Sequence, residues 1–336
     1  MFTSSIDCPK GFAWFDLSVN PFLVLARLVR LWKRFRKVKP TAIHAHQTHA
    51  AFIPLLAALI ARVPVRIYHN HGAPYLGHGG ILRYSLWLLE FLNCYFATHV
   101  ITVSQSIRKK MIQHHIVRKS KCEVLGEGTA CGIDLVEFSS DKFGKEHRAK
   151  ARRRLGIFVE KYVVLYIGRP FKRKGLHTLL NAWQYVVESN NECLMLIAGC
   201  TAEDIVRNEG SPIKNVITLG YVKDLHSCYA ACDVVVLPSW HEGFPYSLLE
   251  GAAAGKTLVG SNVPGIDSAI KHNETGLLVP VGEEQALATA LITLRDDPEL
   301  RERFGFNARS MVEEYSDRKS LMGKFLEYYR RIGVTC

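Results

Sequence analysis

A chain of 336 residues with 48% hydrophobic and 22% charged side chains is too long for one ordinary core and too apolar for disorder, so two α/β domains are expected. Lys and Arg number 43 against 31 Asp and Glu, and the formal charge of +12 calls for an anionic partner: nucleic acid, an anionic membrane surface or a phosphorylated substrate. Nine scattered cysteines with no C-x-x-C pair read as reduced thiols in a cytoplasmic protein, not as a disulfide frame or a zinc site.

Residues 1–10 lack the basic-then-apolar order of a secretory signal. Residues 1–22 contain neither the strand nor the Gly-rich turn with which a Rossmann-like domain opens, so a first domain incomplete at its N-terminus is expected. Residues 25–39 set Leu25, Leu28, Val29, Trp32 and Phe35 near one helix face, with Arg27, Arg30, Arg34 and Lys37 on another. Such a basic amphipathic helix lies on an anionic bilayer or packs on a core, and the pattern does not choose. The longest apolar run, 50–61, is interrupted by Pro54 and is shorter than the roughly 18 residues that span a bilayer, so it predicts a buried helix.

Short strand-like runs at 41–44 and 63–68 bracket that helix as a βαβ unit. A second pair at 99–103 and 122–125 brackets a helix over 105–114. Residues 139–154, rich in Lys and Arg, read as a surface connection ending in a helix near Gly156. Alternation then resumes with strands at 162–167, 194–198, 216–219, 234–237 and 257–260 and helices at 176–189, 225–231 and 246–254, a second doubly wound domain. The expected division is an acceptor-side domain over 1–150, a nucleotide-sugar domain over 151–320 and a last helix over 321–336 returning toward the first domain.

Three constellations carry chemistry. The segment His241-Glu242-Gly243-Phe244-Pro245 follows a valine-rich strand, and Pro245 marks the start of a helix whose free amides favour phosphate. Glu250 lies inside that helix among Leu248, Leu249 and Ala252, where an acid needs a partner; the blander reading makes Glu242 a helix-start acid and Glu250 a solvated residue. The loop Gly168-Arg169-Pro170-Phe171-Lys172-Arg173-Lys174-Gly175 follows a parallel strand, and Arg169 with Lys174 can pair with a diphosphate, unless the loop is only a solvated basic turn. His69-Asn70-His71-Gly72 ends another strand, where an imidazole can meet a substrate hydroxyl. His44, His46 and His49 precede it, but neither H-E-x-x-H nor a partnered carboxylate cluster is present, so no metal is expected.

The eight-residue step from Glu242 to Glu250 resembles the E-x7-E motif of family 4 retaining glycosyltransferases. Leu237-Pro238-Ser239, Gly255-Lys256-Thr257 and Gly276-Leu277-Leu278-Val279 are similar to its surroundings, Gly168-Arg169 with Lys174-Gly175 to its diphosphate loop, and Val103-Ser104 and Gly132-Ile133-Asp134 to its first-domain landmarks. The resemblance runs from about Phe22 to the C-terminus and implies a GT-B fold, two Rossmann-like domains facing a cleft. It implies that Arg169 and Lys174 neutralise the diphosphate and Glu250 holds the ribose. Glu242 with the amides of Gly243 and Phe244 would meet the sugar, as would His71, with Gly168 and Pro245 also in the donor site. It also implies retention of configuration, a nucleotide-diphosphate sugar as donor with UDP-sugar first, and no cofactor.

The acceptor expected is a glycan or polyprenyl-linked molecule in envelope or capsular polysaccharide assembly, at the inner face of the cell membrane. Rival readings are a nucleotide-sugar epimerase-like enzyme and a non-catalytic nucleotide-sugar-binding subunit. Nucleic acid is not expected, because the basic residues have no interleaved aromatic platform.

Overall fold

The computed structural model describes residues 21–209 and 213–334. The reading of residues 1–22 as lacking an opening strand lies, save for the last two, outside them. The chain begins with α1 (Pro21–Val38), β1 (Ala42–His46), α2 (Thr48–Ile60), β2 (Val65–Asn70), α3 (Gly80–Phe96), β3 (His99–Thr102), α4 (Gln105–Gln113) and β4 (Cys122–Glu123). These four strands form a parallel sheet in the order β1-β2-β3-β4.

The period of two along a strand divides this sheet's side chains between two layers. Ala45, Tyr68 and Val100 face α2 and α3, where they join Ala51, Leu55, Leu86 and Cys94. Ile67 and Ile101 face the opposite way and are covered by Leu321, Phe325 and Tyr328 of α12 (Arg318–Arg331), so the last helix packs on the first sheet. β2 starts two residues later than expected, because Pro64 has no N–H to enter the ladder and the first bond is Val65 N–H to the Thr41 carbonyl at 3.2 Å. His69 and Asn70 thereby belong to the strand, and His71 follows it.

The second sheet runs through β5 (Tyr162–Ile167), β6 (Cys193–Ala198), β7 (Val216–Thr218), β8 (Val234–Leu237), β9 (Thr257–Ser261) and β10 (Gly276–Val279). It is parallel, in the order β10-β9-β8-β5-β6-β7. Its helices are α5 (Lys145–Arg154), α6 (Leu176–Ser189), α7 (Ala202–Glu209), α8 (His226–Ala231), α9 (Tyr246–Ala253), α10 (Glu284–Asp296) and α11 (Pro298–Tyr315). One continuous apolar cluster fills this half, with Trp183, Leu196, Val235 and Phe304 at most 1% exposed. The order reverses between β5 and β8, so the loops leaving those two strands flank a crevice at the carboxyl edge.

Two expectations fail. The basic segment 139–154 is not merely a surface connection, since Arg152 is fully buried. Its guanidinium donates to Asp233 at 2.9 Å and to the carbonyls of Ala231 and Lys161, while Arg148 reaches the same Asp233 at 2.7 Å. A buried guanidinium is tolerable because its donors are satisfied and its charge is met. In α1, Leu28, Trp32 and Phe35 are half-buried in a helix that packs on α2, but Leu25 and Val29 point outward beside exposed Arg30 and Arg34. α3 is among the helices not foreseen.

Candidate active site

Adjacent strands bring the two strongest motifs together. Lys174, in the loop after β5, places Nζ 2.6 Å from Oε1 of Glu242, in the loop after β8. The two loops are pinned by the Trp240 N–H bonding the Arg173 carbonyl at 2.8 Å. Gly175 makes this approach possible: its φ is +70°, and a Cβ there would lie 1.9 Å from the Pro238 carbonyl oxygen. Arg169 does not join the pair; it is exposed, with its guanidinium 4.7 Å from the centre of the Phe171 ring.

Pro245 is the cap of α9 and not its first helical residue, and its carbonyl accepts from Leu248 and Leu249. Glu250 therefore sits about one turn inside the helix. It is neither alone nor fully solvated: the Tyr229 hydroxyl donates to its Oε2 at 2.7 Å. Burial raises the Glu250 pKa above the usual carboxylate range, and the Tyr229 hydrogen bond partly offsets this.

The first domain supplies the facing wall. A cleft of about 410 Å³ is lined by Gln47, Thr48 and His49 at the start of α2, by His71 and Gly72 after β2, and by Arg173, His241, Glu242 and Gly243 from the second domain. The walls meet backbone to backbone: a Cβ on Gly243 would lie 1.8 Å from the His71 carbonyl oxygen, and one on Gly72 would lie 3.2 Å from the Gly243 Cα. Of the expected site residues, His71, Glu242 and Gly243 line this cleft, and Lys174 reaches it through Glu242. Gly168, Arg169, Pro245 and Glu250 are not among its lining residues. Phe244 lines a neighbouring cavity of about 160 Å³ with Leu249, Ser268 and Tyr315.

Arg173, His241, Gln47, Thr48 and His49 were not foreseen as site residues. Arg173 stood in the basic loop and His241 beside Glu242, so the signal was present. Gln47 gave none, since its distinction is a φ of +64° that no sequence displays.

The His71 Nε2 lies 3.0 Å from the His46 Nδ1. Burial, with His46 nearby, lowers the His71 pKa to about 4, so the ring is neutral near pH 7. A neutral imidazole can accept or donate a single hydrogen bond to a hydroxyl. Behind the wall Glu90 of α3 is fully buried and accepts from Thr48, from the Tyr68 hydroxyl at 2.7 Å and from Asn70 at 3.1 Å. Asn70 also bonds the Gly72 carbonyl at 2.7 Å, so this network holds the turn that presents His71.

A wall of neutral hydrogen-bonding groups opposite a Lys–Glu pair at a sheet's switch point suits a polyhydroxyl ligand carrying phosphate. Comparison with known proteins agrees. Residues 147–311 match the model described as glycosyl transferases group 1, and residues 9–131 match that of Glycosyltransferase Family 4. The phosphatidyl-myo-inositol mannosyltransferase of Mycobacterium leprae is 30% identical over 303 residues, 87% of this chain and 74% of that protein.

The chain belongs to the family 4 glycosyltransferases.

This family 4 glycosyltransferase is also 29% identical over 297 residues to the capsular polysaccharide biosynthesis glycosyltransferase CapM of Staphylococcus aureus, covering 87% of this chain and 77% of CapM. The N,N'-diacetylbacillosaminyl-diphospho-undecaprenol alpha-1,3-N-acetylgalactosaminyltransferase of Campylobacter jejuni is 27% identical over 326 residues, covering 94% and 83%. HepE of Anabaena, solved with UDP and glucose, superposes with a TM-score of 0.76 at 22% identity, covering 90% of this chain and 80% of that one. That likeness is one of fold, and the fold is GT-B. The transferase names of the relatives favour sugar transfer over the epimerase-like and binding-subunit readings.

Proposed function

We propose that this chain transfers a sugar, with retention of configuration, from a UDP-sugar to a glycan or polyprenyl-linked acceptor in envelope or capsular polysaccharide assembly. The observation that carries the reading is the Lys174–Glu242 pair at 2.6 Å beside a cleft whose other wall is His71 and Gly72. Departure of the diphosphate concentrates negative charge where Lys174 supplies a cation, with exposed Arg169 on the same loop free to turn toward it, and preorganised charge such as that of Lys174 is the largest usual source of rate enhancement. Glu250 meets the ribose hydroxyls. Glu242, with the amides of Gly243 and Phe244 at the Pro245 turn, meets the transferred sugar, and His71 meets a sugar hydroxyl from the opposite side. In this reading the acceptor oxygen bonds to the anomeric carbon on the face the diphosphate leaves. Its proton passes to the departing phosphate oxygen, and neither a protein nucleophile nor a cofactor is required.

The names of the Campylobacter and Mycobacterium relatives support a lipid-linked acceptor. So does α1, whose outer side carries exposed Phe22, Leu25 and Val29 among exposed Arg30, Lys33 and Arg34. Among the described residues no helix is long and apolar enough to cross a membrane. In this reading the exposed apolar and basic side of α1 rests on the inner surface of the membrane, the chain is cytoplasmic and peripheral, and it has no role in nucleic-acid binding. Failure to co-sediment with anionic vesicles at low salt would remove that assignment.

The deciding experiment is calorimetric titration of the protein with UDP, repeated on Glu250→Ala and Lys174→Ala. Micromolar binding that is lost in both variants supports the donor site. A folded protein that binds neither UDP nor GDP overturns it.

A further inference from the structure

The face of the first sheet that meets α12 carries a histidine group the transfer reading does not use. β1 and β2 each hold a His-x-His step, His44-Ala45-His46 and His69-Asn70-His71. Side chains two apart on a strand share a face, and the parallel register pairs His46 with His69. Two sequence-distant pairs thus become one cluster: the His44 ring centre lies 4.3 Å from His46 and 5.4 Å from His69. One nitrogen from each of His44, His46 and His69 lies within 4.8 Å of the others.

The hydrogen bonds sort the nitrogens. His44 Nδ1 lies 2.6 Å from the Tyr329 hydroxyl, and His46 Nδ1 lies 3.0 Å from His71 Nε2. His44 Nε2 is buried without a partner, and so are both ring nitrogens of His69, a residue with no exposed surface. A buried imidazole without a partner is costly, and a sheet has little reason to carry one beside two others.

We propose that His44, His46 and His69 form a binding site for a borderline first-row divalent cation of the zinc, nickel or cobalt class. His44 and His46 ligate through Nε2, and His69 ligates through a ring nitrogen. Three imidazoles suit this class of metal and not magnesium or calcium, which take oxygen. Donor atoms around a tetrahedral ion with bonds of about 2.0–2.1 Å lie about 3.3 Å apart, so loading draws the rings together by at most roughly 1.5 Å. The Nδ1 contacts are then what a ligated imidazole needs behind it: His44 donates to the Tyr329 oxygen and His46 donates to His71 Nε2. The ion would thus tie β1 and β2 to α12 and fix the tautomer of His71, the residue presented to the cleft. The ion itself lies outside the donor site and reaches it only through the His46–His71 contact.

The test uses the full chain, stripped with chelator and titrated with Co²⁺ while the visible d–d absorption is recorded, followed by displacement with Zn²⁺. The expected result is one ion per chain with the intense spectrum of a tetrahedral site, and a thermal midpoint raised by Zn²⁺. His46→Ala removes an exposed ligand that the fold does not need, and it should abolish the spectrum. Tyr329→Phe should keep the spectrum and weaken affinity about tenfold to 100-fold. His78→Ala, on the cleft rim, should change neither. A featureless titration of the folded wild type overturns the site. So does a spectrum that survives His46→Ala or disappears in His78→Ala.

Discussion

In the six-stranded sheet the four central strands are buried along almost their whole length, and two of the acids beside them are ion-paired. Asp233 meets Arg148 and Arg152, and Glu242 meets Lys174. In the four-stranded sheet one face is apolar and the other carries imidazoles, and its buried acid, Glu90, receives only hydroxyl and amide donors. The second domain closes its own core within residues 133–312. The first borrows Leu321, Phe325 and Tyr328 from the end of the chain. A self-sufficient half can hold a charged site rigidly, whereas a half completed by a distant helix depends on the integrity of the whole chain.

Ending the chain at Ser316 tests the difference most severely. Three large, almost fully buried side chains are lost from the first sheet, each worth about 1.5–3 kcal/mol, a sum comparable to the stability of a domain. The first domain should melt or become open to proteolysis, while residues 147–311 keep a cooperative transition. Equal protease resistance of the two halves would abolish the contrast.

Within the second domain, Arg152→Met should cost about 3–5 kcal/mol in urea unfolding. It strips Asp233 of one partner and leaves the carbonyls of Ala231 and Lys161 without their donor. A loss under about 1 kcal/mol would mean that Arg148 alone meets the charge. Lys174→Ala should lower kcat by roughly 10²–10³ while leaving the unfolding midpoint close to wild type. Glu242→Gln separates two roles for that lysine. If Lys174 served only to hold Glu242, the double variant would be no worse than either single one.

The second domain was the more legible half because strands buried on both faces read as unbroken apolar runs, as in Val234–Leu237. Gly175 and Pro245 punctuated its two motifs, so Lys174 and Glu242 were each visible. Their contact was not, because it depends on β5 lying beside β8, which no local spacing encodes. The histidine face was hidden for a similar reason. The His44–Tyr329 bond spans 285 positions, and the alternation that puts His44, His46 and His69 together is visible only once β2 is known to run to Asn70. Arg152 was misjudged because a run of three arginines looks solvated until one of them is seen beneath Ala231 and Asp233.

Glu90 offers the finest test of the contrast, because it is fully buried and bonded only by hydroxyl and amide donors. Burial raises its pKa from 4.5 to about 7, against the opposing effect of the bonds from Thr48, Tyr68 and Asn70. Tyr75 and Cys94, which also face it, have pKa values raised by burial and stay neutral in this range. With the folded pKa above the unfolded one, the folded state binds the proton more tightly. Its contribution to stability is therefore full below about pH 4.5 and lost as pH rises through about 7, amounting to on the order of 3 kcal/mol. Glu90→Gln keeps the shape and removes the titration, so the difference in unfolding free energy between variant and wild type should move in the variant's favour across that window. The other ionisable groups are common to both proteins and cancel from the difference. Parallel pH profiles would show that Glu90 has the ordinary carboxylate pKa and that its burial carries no titratable cost.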